Sequence, residues 1–207
     1  MAAANRRQIQ KEETKKIIQE TAYSLFERNG YDETTMRDLA KQAGVGIGTI
    51  FIHFPDKPSL LAVAFLDDLN GIIDQAIKSL PKHNIISQLE HIVSAIYGFY
   101  AKRPNFSRTL IKELFFLQGP HGQDLEKQLF SFLIQIGQLF QNAKDNNEIS
   151  RDIDIEQCVH AFGSFYFHSL HSGLREETFN INIQVKLFSS LMEHFLLEKK
   201  EANNGTN

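Results

Sequence analysis

The sequence predicts an all-α chain, a three-helix head followed by a larger helical body, on three observations. Apolar residues recur at helical spacing along most of the 207 residues, the five prolines and twelve glycines fall mainly between those stretches, and no alternating strand pattern appears. With 42% of its residues apolar, a chain of this length buries a sizeable core without disulfides.

Each element follows from local signals. A first helix is expected over about residues 14–29, with Ile17, Ile18, Ala22, Leu25 and Phe26 on one face and Asn29-Gly30 as its stop. Thr35 has the character of an N-cap, with Asp38 three residues on completing a capping-box-like pair, and opens a short helix over 36–43. Gly44 suits a left-handed turn, and a third short helix covers about 46–54 before Pro55. Asp56 caps a long helix over about 57–80, closed by Pro81. Further helices are expected over 85–103, 105–117, about 123–146, 155–175 and about 182–199, with a disordered polar tail at 201–207. The domain reading is a head at 1–56, a body at 57–200 and the tail.

Twenty-two Lys and Arg against 25 Asp and Glu give a net charge of −3, which excludes a uniformly basic coat protein or a polybasic membrane binder. A single cysteine, Cys158, excludes an intrachain disulfide framework and a cysteine-rich zinc site. No eighteen apolar residues run together, so a soluble, cytoplasmic protein with no membrane partner is expected. The charge is unevenly divided. Residues 1–57 hold nine Lys and Arg against eight Asp and Glu, and the remainder thirteen against seventeen. In the first sixteen residues Arg6, Arg7, Lys11, Lys15 and Lys16 face only Glu12 and Glu13. Fourteen of the seventeen phenylalanines lie in the acidic body.

Two short helices joined by a glycine turn make a helix-turn-helix, in which the second helix enters the major groove of DNA. Small Ala40 and Ala43 allow close approach, and Leu39, Val45 and Ile50 fill the space between the helices. Gly30-Tyr31, Thr35, Arg37-Asp38-Leu39-Ala40, Ala43-Gly44-Val45-Gly46, Gly48-Thr49-Ile50-Phe51, His53-Phe54, Lys57 and Leu60 together resemble the DNA-binding domain of TetR-family transcriptional regulators. The motif covers about residues 10–61, and the remainder is similar only in length and helicity. The resemblance implies that Thr35 and Arg37 meet phosphate, that Gly46, Ile47, Gly48 and Thr49 approach the bases, and that His53 and Lys57 again hold the backbone. Two positions depart from the pattern: Gly46 stands where a Ser is usual and Phe51 where a Tyr is usual, and both remove a hydroxyl.

Charge placement points the same way. Arg37 and Lys57 each lie in the first turn of a helix, where the macrodipole disfavours a cation unless an anion is near. The bland alternative is that such cations are simply tolerated, or that Arg37 pairs with a carboxylate. The expected recognition helix has no Arg, Lys, Asn or Gln, so direct readout falls to Thr49 and to Ile47 and Ile52 against thymine methyls. T·A pairs at the contacted positions and much shape readout are expected. Arg6 and Arg7 stand on an arm that either enters an adjacent minor groove or is merely solvated.

Other chemistry is weaker. Gly44-Val45-Gly46-Ile47-Gly48 follows a helix rather than a strand, which argues against a dinucleotide loop. His160, His168 and His171 lack the further ligands a metal needs, and Asp152, Asp154 and Glu156 lack a calcium loop's glycine and closing glutamate. Cys158 and His160 point apart on one helix, so no catalytic constellation, cofactor or metal is expected.

In the body the resemblance implies a ligand cavity, for which Phe99, Tyr100, Phe116, Phe132, Phe167 and His168 are the candidate lining, suiting an apolar or aromatic effector. Small residues at Ala161, Gly163, Ser164, Ser169, Ser172 and Gly173 and an apolar face at Leu187, Phe188, Leu191, Met192, Phe195 and Leu196 suit a homodimer through a four-helix bundle, as the resemblance also implies. The expected function is a repressor released from a palindromic operator by that effector. The alternative is an all-helical small-molecule-binding protein or enzyme that has lost DNA binding.

Overall fold

The computed structural model describes residues 2–204, with side chains described for 6–196. Among the described residues the chain is helical throughout, without strands. The helices are α1 (Ala2–Asn29), α2 (Met36–Ala43), α3 (Ile47–His53), α4 (Lys57–Lys78), α5 (Ile85–Ala101), α6 (Pro104–Phe115), α7 (Gly119–Asp145), α8 (Ile155–Arg175) and α9 (Ile181–Asn204).

Three ends differ from the sequence reading. α1 starts at Ala2, so Arg6 and Arg7 lie on a helix and not on an extended arm. Residues 2–13 have no apolar periodicity, but Ala, Gln, Arg, Lys and Glu are strong helix formers and extend the helix backwards from its packed part. α7 starts at Gly119, because Pro120 in a first turn needs no N–H partner and is preset for the helix. α9 runs on to Asn204 through Lys, Glu and Ala, so the expected disordered tail is helical over 201–204, and 205–207 lie outside the described residues.

The chain divides into two compact units, Met1–Asp68 with Arg108–Leu125, and Leu69–Ser107 with Glu126–Asn207. The first is wider than the expected head at 1–56, because Leu60, Leu61 and Phe65 of α4 and Leu110 of α6 are buried in it. Its core joins them to Ile18, Ala22, Leu25 and Phe26 of α1, Leu39 of α2 and Ile50 of α3, with Phe65 stacked on Tyr23 at 4.5 Å. α1 packs on α2, and α2 on α3.

In the second unit α9 packs against both α5 and α8. Phe162 is its hub, meeting Phe132 at 5.9 Å, Phe188 at 5.5 Å and Tyr166 at 6.1 Å between ring centroids. Gly173 lets α9 come close: a Cβ there would lie 2.7 Å from both Gln184 Cγ and the Phe179 ring. Asn147 turns the end of α7 with φ 60°, and the Glu148 carboxylate then accepts the Ile85 N–H at 2.9 Å, capping the start of α5.

Candidate nucleic-acid interface and body site

The start of α2 is a closed capping box. The Thr35 hydroxyl accepts the Asp38 N–H at 3.2 Å and donates to the Asp38 carboxylate at 2.6 Å, which also accepts the Thr35 N–H at 3.1 Å. The hydrogen bonds from Thr35 hold the Asp38 carboxyl below the usual carboxylate range. Thr35 therefore spends its proton inside the cap. What α2 presents to an anion is the N–H groups of Met36 and Arg37, which no intrahelical carbonyl reaches, and the exposed Arg37 guanidinium. No carboxylate among the described residues pairs with Arg37.

Gly44, at φ 68°, ends α2 in the left-handed conformation, and Val45 N–H closes the turn on Ala40 O at 3.0 Å. This turn aims α3, whose N-cap Gly46 offers no side chain. Ile50 roots the helix in the core. Ile47, Phe51 and Ile52 stay 41%, 49% and 75% exposed, with Gly46 and Gly48 bare beside them and Thr49 half-buried. Three large apolar side chains on a seven-residue helix thus face solvent together.

His53 ends α3, half-buried. Burial first and then the charge of Lys11, with Lys15 adding less, hold its imidazole below the usual value against the opposing effect of Glu12. Lys11 and Lys15 of α1 therefore act electrostatically on the end of α3. The sequence reading counted them only as part of a basic segment, and their helical phase on the lengthened α1 is the signal that places them.

Lys57 has a different role from the one expected. Its ammonium donates to Tyr31 O at 2.7 Å, Thr34 O at 3.0 Å and Asp32 O at 3.4 Å, and lies 4.1 Å above the Tyr31 ring. The loop between α1 and α2 turns its carbonyls toward the start of α4, so all three ammonium protons are used inside the unit. The Tyr31 phenol donates a long 3.5 Å bond to the Glu113 carboxylate, and burial followed by that carboxylate pushes the phenol's pKa up. The His121 ring stacks on Phe54 at 5.7 Å.

Of the six body candidates, four join one aromatic network. Phe99 packs on Tyr100 at 5.3 Å, Phe132 on Phe162, and Phe167 on Tyr166 at 5.1 Å. Tyr97 and Tyr166, which the sequence reading did not select, complete it: the Tyr97 hydroxyl donates to Tyr166 O at 2.8 Å. Burial pushes the Tyr100 phenol up to about 12, and that of Tyr166 well above its usual value. Two candidates lie elsewhere. Phe116 is 81% exposed in the first unit, because α6 ends one residue before it. His168 is exposed because it falls on the side of α8 away from Phe162, Tyr166 and Ser169. A separate polar cleft of about 520 Å³, lined by residues including Gln88, Asn142, Asp145 and Glu148, contains none of the candidates. No group of His, Cys, Asp and Glu among the described residues is arranged to hold a metal ion, and no described helix is long and apolar enough to cross a membrane.

Residues 18–64 match the family described as bacterial regulatory proteins, tetR family. Among curated relatives, the HTH-type transcriptional regulator SAB2452 of Staphylococcus aureus is 38% identical over 63 residues, 30% of this chain and 34% of the relative. The HTH-type transcriptional repressor KstR of Rhodococcus jostii is 27% identical over 118 residues, 57% of this chain and 55% of the relative. The chain thus spans from a third to just over half the length of these relatives. Among solved structures, Thermus thermophilus FadR, a TetR-family repressor in complex with lauroyl-CoA, is similar with TM-score 0.71 and 19% identity, over 89% of this chain and 94% of the other. Bacillus subtilis FadR in complex with stearoyl-CoA follows at TM-score 0.65 and 20% identity, over 87% and 96%. These structures establish a shared fold for head and body together. The match to the family of bacterial regulatory proteins thus lies in the head, over residues 18–64.

Proposed function

We propose that the protein is a dimeric transcriptional repressor that binds a palindromic operator and leaves it when a small apolar or aromatic effector occupies the body. The observation that carries this reading is the exposed apolar face of α3, seated on a glycine turn beside the Arg37 guanidinium and the free N–H groups of α2. Gly46, Ile47, Gly48, Thr49, Phe51 and Ile52 approach the bases, and Ile47 and Ile52 meet thymine methyls. Arg37 and His53 take phosphate. Thr35 and Lys57 act one step back, holding the start of α2 and the loop before it.

The aromatic network of Phe99, Tyr100, Phe132, Phe162, Tyr166 and Phe167 supports an apolar effector. The acyl-CoA molecules named in the two FadR structures make a fatty-acyl chain the first class to try. α4 supplies residues to both units, so the chain itself links effector and operator sites. The half-exposed Phe165 and Ser172 of α8 and Leu187, Leu191 and Phe195 of α9 support a homodimer that sets two copies of α3 roughly 34–36 Å apart. The role is regulatory rather than enzymatic, and the setting cytoplasmic.

The test is a mobility shift on the genomic fragments flanking the gene, repeated with lauroyl-CoA. Retardation of one fragment, reversed by the acyl-CoA, is expected. The lost hydroxyls at positions 46 and 51 favour one other reading, a helical small-molecule-binding protein or enzyme without DNA binding. Failure to retard any fragment would select it.

A further inference from the structure

We propose that the first four turns of α1 form a rigid basic rail that lies along the phosphate backbone of the DNA read by α3, an inference that rests on the DNA-binding reading above. α1 has 28 residues, about 42 Å at 1.5 Å per residue. Its core contacts begin at Ile18 and continue through Ala22, Leu25 and Phe26, while the described residues before Thr14 are all exposed. From Arg6 to Glu13, about 12 Å of helix therefore stands clear of the core.

The side that carries those core residues does not end with the core. At 100° per residue, Arg7, Lys11 and Lys15 fall on the same face as Ile18, Ala22 and Leu25. That face turns toward the helix-turn-helix: Lys15 is half-buried, α1 packs on α2 and α2 on α3, and the charges of Lys11 and Lys15 reach the His53 imidazole at the end of α3. On the other faces Gln8 donates to Glu12 at 3.3 Å, and Lys16 pairs with Glu20 at 3.8 Å. None of Arg7, Lys11 and Lys15 has a carboxylate within ion-pair distance among the described residues. Like charges at i, i+4 destabilise a free helix, so this face is suited to a polyanion and not to solvent alone.

The dimensions decide where the polyanion lies. A helix about 10–12 Å across does not enter a minor groove about 6 Å wide, so the basic segment follows the backbone. Arg7 to Lys15 spans about 12 Å of helix axis, which sets the three cations along a short run of phosphates of one strand.

The test uses the full chain and a duplex that it selects from a randomised pool, with affinity read by fluorescence anisotropy across a potassium chloride series. For R7Q/K11Q/K15Q, the slope of log affinity against log salt is expected to fall by about 2 to 3, at about 0.9 per lost phosphate contact. The loss is expected to be equal on selected and scrambled duplexes, with unchanged helicity by circular dichroism. R6Q/K16Q removes two cations from the other faces and is expected to leave the slope within about 0.5 of wild type. An unchanged slope in the triple variant, or an equal fall in both variants, overturns the rail alone. Absence of wild-type binding to every duplex overturns the DNA reading itself.

Discussion

α3 and α8 treat large apolar side chains in opposite ways. On α8 Phe162, Tyr166 and Leu170 are buried, and the outward positions are His160, Ser164, His168 and His171. On α3 only Ile50 is buried, while Ile47, Phe51 and Ile52 face outward with no charged residue among them. α8 is ordered by a core inside its own unit. α3 is anchored at one point, and its surface follows the partner that it is proposed to meet. On the proposed reading, an exposed apolar face on a helix held by a positive-φ glycine is a functional signal, whereas the much larger aromatic content of the body is first of all a packing signal.

The sharpest way to break this contrast is a pair of truncations. Phe162→Ala removes the hub of a sealed aromatic cluster and is expected to cost about 3–5 kcal/mol in urea unfolding. Ile52→Ala, three-quarters exposed, is expected to change stability by no more than about 0.5 kcal/mol while weakening binding to a selected duplex. Equal destabilisation by the two would show that α3 is packed like α8.

Lys57→Met tests the assignment of that residue to the fold. Loss of its bonds to Tyr31, Asp32 and Thr34 is expected to lower stability by about 1–3 kcal/mol and to leave the salt slope of DNA binding unchanged. A lower slope with full stability would return Lys57 to the phosphate contacts.

Thr35→Ala opens the capping box at a cost of about 1 kcal/mol, read by thermal unfolding. The Asp38 carboxyl then moves up toward its ordinary range in an NMR titration, since Thr35 is what lowers it.

His53 supplies a test by pH. Its folded pKa lies below the ordinary value near 6.5, so the stability linked to its neutral form is present above that value and is lost as pH falls through the folded pKa. A phosphate beside His53 acts in the opposite direction to burial, Lys11 and Lys15, and favours the imidazolium, as Glu12 also does. DNA affinity is therefore expected to rise between pH 7.5 and 6, by at most about tenfold per pH unit, and to stay flat in His53→Gln.

The head was largely legible because its signals are local. Thr35 with Asp38, Gly44 and the buried Ile50 each follow from chemistry within a few residues, and all take the places expected. The bonds of Lys57 were not legible because the carbonyls that hold it come from residues 23 to 26 positions earlier. The start of α1 was missed because propensity, not apolar periodicity, extends it. In the body, selecting aromatics by type could not fix helical phase, which sends His168 outward and buries Tyr166 with Phe132 and Tyr100. Phe116 was misplaced because the segment Arg108–Leu125 joins the first unit, a long-range outcome that no local pattern encodes.

On the proposed reading an apolar α3 reads DNA, and sequencing the duplexes that the wild-type protein selects from a fully randomised pool checks it. Palindromic half-sites about one helical turn apart, with T·A pairs at the contacted positions, are expected. Half-sites of G·C pairs alone, or no enrichment at all, would contradict it.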